Sequence, residues 1–202
     1  MQVLATPDQV NFSPLKRRYT LEEFWALPER EDRARYNLIG GYLFMVPPPN
    51  PPHGDLAANM NRALTRFLDA KGIGGKVLFP PEPIYTCAMD STYLEPDLMY
   101  VSEELREQMG SRRTSADVVF EFLSRSTAVY DRTTKADTYL ALGVGELWLV
   151  DPATETIEVR HPKELSDTRV WEIYIYERGE HAKSRVLDGW EVSVDGIFED
   201  LD

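Results

Sequence analysis

The stretch VVFEFLS, residues 118–124, restricts this chain more than any other. Its large apolar residues suit a strand, yet Glu121 stands in the middle. A bare carboxylate inside an apolar strand costs several kcal/mol unless something neutralises it. A fold that buries this strand must therefore neutralise Glu121, whereas a half-exposed sheet would let the carboxylate face water.

The surrounding chain reads as alternating helices and strands. YTLEEFWALPE opens a short helix, with Thr20 as N-cap, Glu23 completing a capping box and Pro28 closing it. RARYNLIGGYLFMVPP predicts a hairpin turning at Gly40–Gly41. PPPNPPHGD is a stiff, extended connector. It leads into a helix on which Leu56, Met60, Leu64 and Phe67 recur at helical spacing, with Gly72 as the stop. KVLFPPEPIYTC and TYLEPDLMYV predict strands, the first broken by prolines that suit an edge or a bend. SEELREQM is a short helix, ADVVFEFLS a strand, and residues 128–142 a helix ending at Gly143. ELWLVDP, ETIEVRH, VWEIYIYER and WEVSVDG are further strands. There is no internal repeat and no domain boundary. The expected fold class is α/β in one domain spanning 1–202: a mixed central sheet flanked by helices, with extra C-terminal strands and residues 1–18 as a loosely packed arm.

Composition narrows the function. No run approaches the roughly 18 apolar residues of a membrane span, and the N-terminus lacks a signal-peptide pattern. One cysteine, Cys87, allows neither an internal disulfide nor a cysteine-rich zinc site. A cytoplasmic protein with no membrane partner is expected. The net charge of −12 is uneven: residues 126–202 hold eight basic and seventeen acidic residues. That balance argues against tight non-specific DNA binding but leaves room for a local basic face. Arg17–Arg18 and Arg112–Arg113 are candidates for it, and ordinary surface arginines are the simpler reading.

A second acid, Asp97, lies in TYLEPDLMYV. Period-2 alternation puts Glu95, Asp97 and Met99 on one face, and Val119, Glu121 and Leu123 share a face of theirs. If the two strands are neighbours, opposed side chains lie roughly 4.5–5.5 Å apart at Cβ. Two carboxylates that close repel unless a cation sits between them, and Mg²⁺ satisfies both. Asp131, Lys135 and Tyr139 follow at four-residue spacing on the next helix, so Lys135 can reach back towards the acids. Spacing alone leaves the ordinary alternatives open: Asp97 ending a turn after Pro96, and Lys135 in a helix ion pair with Asp131.

EPDL, the run VVFEFLSRSTAVYDRTTKADTYLALGVGELWLVDP and RVLDGWEVSVDGIFED together resemble a large bacterial family of restriction-endonuclease-like proteins, long catalogued as a domain of unknown function. The similarity runs from YTLEEFWAL almost to the end of the chain. It implies the PD-(D/E)XK nuclease fold, with Asp97 and Glu121 as metal-binding acids. Leu123 occupies the place of the usual lysine, and the resemblance implies that this lysine has moved to the next helix as Lys135, followed by Tyr139. It also implies an auxiliary role for His53, whose simpler reading is an exposed histidine at a helix start. One departure stands out. The family's first hairpin carries Glu and Asp where this chain has Asn37 and Gly40.

The implied activity is Mg²⁺- or Mn²⁺-dependent endonucleolytic hydrolysis of DNA. Asp97, Glu121 and Lys135 are the catalytic set, Asp97 and Glu121 the metal ligands, and His53, Asn37 and Tyr139 auxiliary groups. The alternative is a weakened or inactive binding or scaffold protein with the same fold, favoured by Asn37 and the acidic C-terminal third. RNA or another phosphodiester is a third substrate class. The resemblance also implies a homodimer, since nucleases of this class often act in pairs; VWEIYIYER supplies its surface or simply closes the sheet.

Overall fold

The computed structural model describes residues 17–28, 35–87 and 91–201. Most of the expected N-terminal arm lies outside the described residues.

Every residue of β7 (Val118–Phe122) and β8 (Glu146–Asp151) is buried, which explains why these stretches read as nearly continuous apolar runs. They form the centre of a six-stranded sheet of order β10-β9-β8-β7-β6-β3. Its other members are β3 (Lys76–Leu78), β6 (Leu98–Val101), β9 (Thr156–Leu165) and β10 (Thr168–Tyr176). Only the β7–β8 pair is parallel, so the sheet is mixed as expected.

The two faces of the sheet are covered by different layers. Leu56, Met60 and Leu64 of α2 (His53–Lys71) pack without exposure against Val118, Phe120 and Trp148. Residues 128–141, crossing from β7 to β8, cover the other face, where Ala136 and Tyr139 meet Val119, Leu147 and Leu149. Glu121 belongs to this second face and is only 2% exposed, so it does not face water.

A second sheet, of order β2-β1-β5-β4, is antiparallel throughout. Its hairpin of β1 (Arg35–Ile39) and β2 (Tyr42–Val46) turns at Gly40 and Gly41, whose φ angles of 57° and 82° suit the two-residue turn that glycine permits. The predicted capping box on α1 (Leu21–Trp25) is present. Phe44 of β2 stacks on Tyr130 at 5.1 Å between ring centroids, which docks this sheet onto the crossover helix.

Two expected strands each prove to be two. TYLEPDLMYV divides into β5 (Thr92–Leu94) in the small sheet and β6 in the large one. KVLFPPEPIYTC divides in the same way into β3 and β4 (Ile84–Thr86). Proline has no N–H to give a ladder, so Pro96 and the Pro80–Pro81 pair mark where the chain leaves one sheet for the other. Asp97 consequently sits at the joint between sheets, one residue before β6, and not inside a strand.

WEVSVDG also departs from expectation. Strand β12 (Glu191–Ser193) stops where the Ser193 hydroxyl accepts from Gly196 N–H and caps the four-residue α6 (Val194–Ile197). Strand β11 (His181–Lys183) pairs with β12 and was not anticipated.

His161, on β9, offers a test of this packing. Burial, with the Arg185 charge adding, lowers its pKa from 6.5 to about 4. At this site the folded protein therefore binds fewer protons than the unfolded chain between those values, and the histidine's contribution to stability falls as pH drops from 6.5 to about 4. Across that window thermal melts should show the wild type losing stability relative to His161→Phe, by up to about 3 kcal/mol.

Candidate active site

The joint between the two sheets opens into a cavity of about 620 Å³. Its walls are the Pro47–Pro52 segment, the start of α2, Arg35 and Asn37 of β1, the end of β7 with the loop after it, and the first turns of the crossover helix. Asp97, Glu121 and Lys135 all line it.

The convergence follows from register. Leu98 of β6 lies opposite Phe120 of β7, so one step outward Asp97 comes opposite Glu121. Phe122 N–H donates to Asp97 Oδ2 at 3.0 Å. His53 Nε2, at the first residue of α2, approaches the same oxygen at 3.0 Å. From the crossover helix, Lys135 Nζ lies 2.6 Å from Glu121 Oε2 and 3.4 Å from Asp131 Oδ1. The Tyr139 hydroxyl donates to Glu121 Oε1 at 2.6 Å. Glu121 thus faces an ammonium and a phenol. Asn37 Nδ2 donates to the Tyr130 hydroxyl at 3.2 Å, on the rim of the same group.

Three carboxylates surround one ammonium, and their protonation follows from that imbalance. Burial raises Glu121 well above the carboxylate range, and the Asp97 and Asp131 charges add to it against the pull of Lys135. Burial also works to raise Asp97, but the His53 hydrogen bond and the Lys135 charge outweigh it and hold this acid below its usual value. For Lys135, burial alone would favour the neutral amine. Glu121, Asp131 and Asp97 reverse that and raise its pKa, so the side chain stays an ammonium. Burial, then the Glu121 charge, lifts the Tyr139 phenol far above its ordinary value and keeps it a donor. Burial likewise pushes Tyr130 up to about 12.

Residues 21–195 match the Uma2 family, described as "Putative restriction endonuclease". The chain belongs to the Uma2 family. A solved structure of the same fold is that of a "putative nuclease belonging to DUF820" from Anabaena variabilis ATCC 29413. It is 20% identical, with a TM-score of 0.68 over 89% of this chain and 97% of that one. No curated protein matches significantly. The resemblance carried by EPDL and by residues 121–152 is borne out, and family and fold together support a nuclease.

Set in the Uma2 fold, the six residues singled out in the sequence all lie in or beside one cavity. His53 contacts Asp97, and with its side chain 20% exposed it is not the exposed histidine of the simpler reading. Tyr139 reaches Glu121 directly. Three features had no clear signal in the sequence. Residues Asp131–Lys135 form a π-helical turn, with Ala136 N–H bonded to Asp131 C=O, five residues back. Such turns re-aim side chains and recur at functional sites. Here the turn buries both Asp131 and Lys135 against Glu121. Arg160 of β9 donates to the Arg132 carbonyl at 2.8 Å, a carbonyl that regular α-helical bonding would give to Ala136 N–H. Glu158 and Asp151 hold Arg132 from the sheet side. Lastly, Arg35 pairs with Glu95 at 2.6 Å, and both line the cavity.

The basic pairs considered earlier lie outside the cavity lining. Arg17 pairs with Glu23, Arg18 lies over the Tyr42 ring, and Arg113 bonds Glu82. The arginines that line the cavity are Arg35 and Arg125.

Among the described residues no three His, Cys, Asp or Glu side chains converge as a ready-made metal set. The groups available to a cation are Asp97 and Glu121, with the Asn37 amide oxygen nearby. Hard oxygen donors of this kind suit Mg²⁺ or Mn²⁺, which use one or two carboxylates and complete their shells with water and phosphate oxygens. The surplus of negative charge around Lys135 fits the same ions.

Proposed function

We propose that this Uma2 protein is an Mg²⁺- or Mn²⁺-dependent endonuclease that hydrolyses DNA phosphodiester bonds. The observation that supports it most is the meeting of Asp97, Glu121 and Lys135 in one cavity from a joint, a strand and a helix. A bound ion would supply Lewis acidity for water and for the scissile phosphate. The chain's own groups do the rest. Asp97 and Glu121 hold the ion, and the His53 and Phe122 N–H contacts to Oδ2 fix the Asp97 carboxylate while leaving Oδ1 for a ligand. Tyr139 at Oε1 and Lys135 at Oε2 orient Glu121, and each of these oxygens keeps a second lone pair for the ion. Lys135, a persistent ammonium, orients the attacking water and stabilises charge developing on the phosphate; it is not the general base. Hydrolysis is direct, without a covalent enzyme intermediate.

Plasmid nicking with Mg²⁺ or Mn²⁺, and with chelator, tests the reading. Activity that depends on the ion and disappears in Asp97→Ala and Lys135→Ala is the expected result. Nicking that persists unchanged in both variants would refute the site.

A second reading, a binding or scaffold protein with weakened catalysis, is favoured by Asn37. Its amide is committed to Tyr130, and it supplies no charge where the family carries an acid. Asn37→Glu should tighten Mn²⁺ binding by about tenfold, given one added charge beside the ion. Titration calorimetry measures this. An unchanged affinity would remove Asn37 from the metal's surroundings.

A further inference from the structure

Strand β10 ends the six-stranded sheet, and among the described residues no strand pairs with its outer edge. The strand is nine residues long and contains no proline. Ile173 and Ile175 project from it 49% and 60% exposed. Soluble domains usually protect such an edge with lysine, proline, a bulge or a very short strand. In β10 the central charge, Glu172, is held by Lys163 and Arg185. It lies on the face opposite Ile173 and Ile175, by alternation along the strand. Among the described residues the edge keeps an open ladder and an apolar flank.

We propose that β10 joins a second copy of this chain, antiparallel about a twofold axis at Ile173, so that the two six-stranded sheets continue as one. The nuclease reading is not needed for this. The hairpin to β9 turns in two residues, Ser166 and Asp167, between the paired Leu165 and Thr168. In such a hairpin Thr168 and alternate residues after it bond inward, so the N–H and C=O groups of Arg169, Trp171, Ile173 and Ile175 point outward.

Centring on Ile173 makes the edge complementary to itself. Ile173 meets its twin, Trp171 meets the partner's Ile175, and Arg169 meets the partner's Glu177. Each of the last two contacts occurs twice, as an isologous interface requires. Moving the axis to Glu172 sets carboxylate on carboxylate. Moving it to Trp171 sets Arg169 on isoleucine, and moving it to Tyr174 or Ile175 sets Glu177 on Trp171 or Ile173. The apolar flank involved is the one shared with the crossover helix, since Trp171 Nε1 donates to the Ala136 carbonyl at 2.9 Å. Ile173 and Ile175 lie opposite Arg160 and Glu158 of β9.

Sedimentation velocity on the full chain at micromolar concentration tests the proposal. The expected species has twice the 23.2 kDa chain mass. The double variant Ile173→Lys, Ile175→Lys should be monomeric with an unchanged far-UV spectrum, because both side chains are exposed. Arg169→Glu should weaken the dimer at least tenfold, and adding Glu177→Arg should restore it. A monomeric wild type overturns the proposal, as does a dimer that survives the double lysine variant. Failure of the charge swap to restore association overturns the register. A monomer that dimerises only after removal of residues 1–16 would assign the edge to the chain's own N-terminal segment, and that also overturns it. None of these readouts involves cleavage, so they separate this inference from the proposed activity.

Discussion

Lys135→Met is expected to destabilise the metal-free protein by about 3–5 kcal/mol, the usual penalty for leaving a buried charge without its partner. Lys135 is 4% exposed, and the carboxylates it serves, Glu121 and Asp131, are 2% and 5% exposed. Methionine keeps most of the apolar stem, so the loss reports charge and not a cavity. Glu121 answers part of it by taking up a proton, since burial already pushes it in that direction. Divalent ions should consequently raise the melting temperature of the variant more than that of the wild type, while DNA nicking stays lost. Urea unfolding with and without Mg²⁺ measures the first effect. A variant as stable as the wild type, with no added response to the ion, would mean that these charges are not coupled.

Glu121→Gln should separate stability from function in the opposite sense. The amide keeps the shape and can still accept from Tyr139, while Lys135 retains Asp131 at 3.4 Å. It removes a buried charge that the fold disfavours, so unfolding in the absence of metal should change by less than about 1.5 kcal/mol. Metal binding and cleavage should both fall, cleavage by on the order of 10³-fold, as when a preorganised electrostatic group is deleted. Circular dichroism, calorimetry and nicking assays on the one variant decide it. Near-normal cleavage by Glu121→Gln would remove this residue from the reaction.

The chemistry of the site was readable in the sequence because it depends on a few short local patterns. Glu121 inside VVFEFLS needs a neutralising partner once the strand is buried, and strand alternation gives its face correctly. Asp97 came opposite Glu121, as strand adjacency predicts, although it belongs to a joint and not to a strand. Pro96 carried that information. Pro96, two residues past the end of β5, marks the end of that ladder and the passage between two sheets. Lys135 and Tyr139 were placed by the resemblance and by helical spacing, and the spacing argument was only approximate. The π turn inserts one residue into the helix, and what sustains it is Arg160, a tertiary partner more than twenty residues away that no local pattern reveals. Asp131 is the lysine's helix partner, as the spacing predicts, and it is also a third buried acid of the site. Tyr130 and the Arg35–Glu95 pair were missed for a similar reason. Tyr130 meets Asn37, and Arg35 and Glu95 line the cavity, only when the small sheet folds over the crossover helix.

The most direct test is a crystal structure of the protein soaked in Mn²⁺, with anomalous differences recorded at the manganese edge. A peak within coordination distance of both Asp97 and Glu121, in the cavity that Lys135 lines, is the predicted result. Manganese-dependent cleavage accompanied by a peak elsewhere, or by none at these two carboxylates, would contradict it.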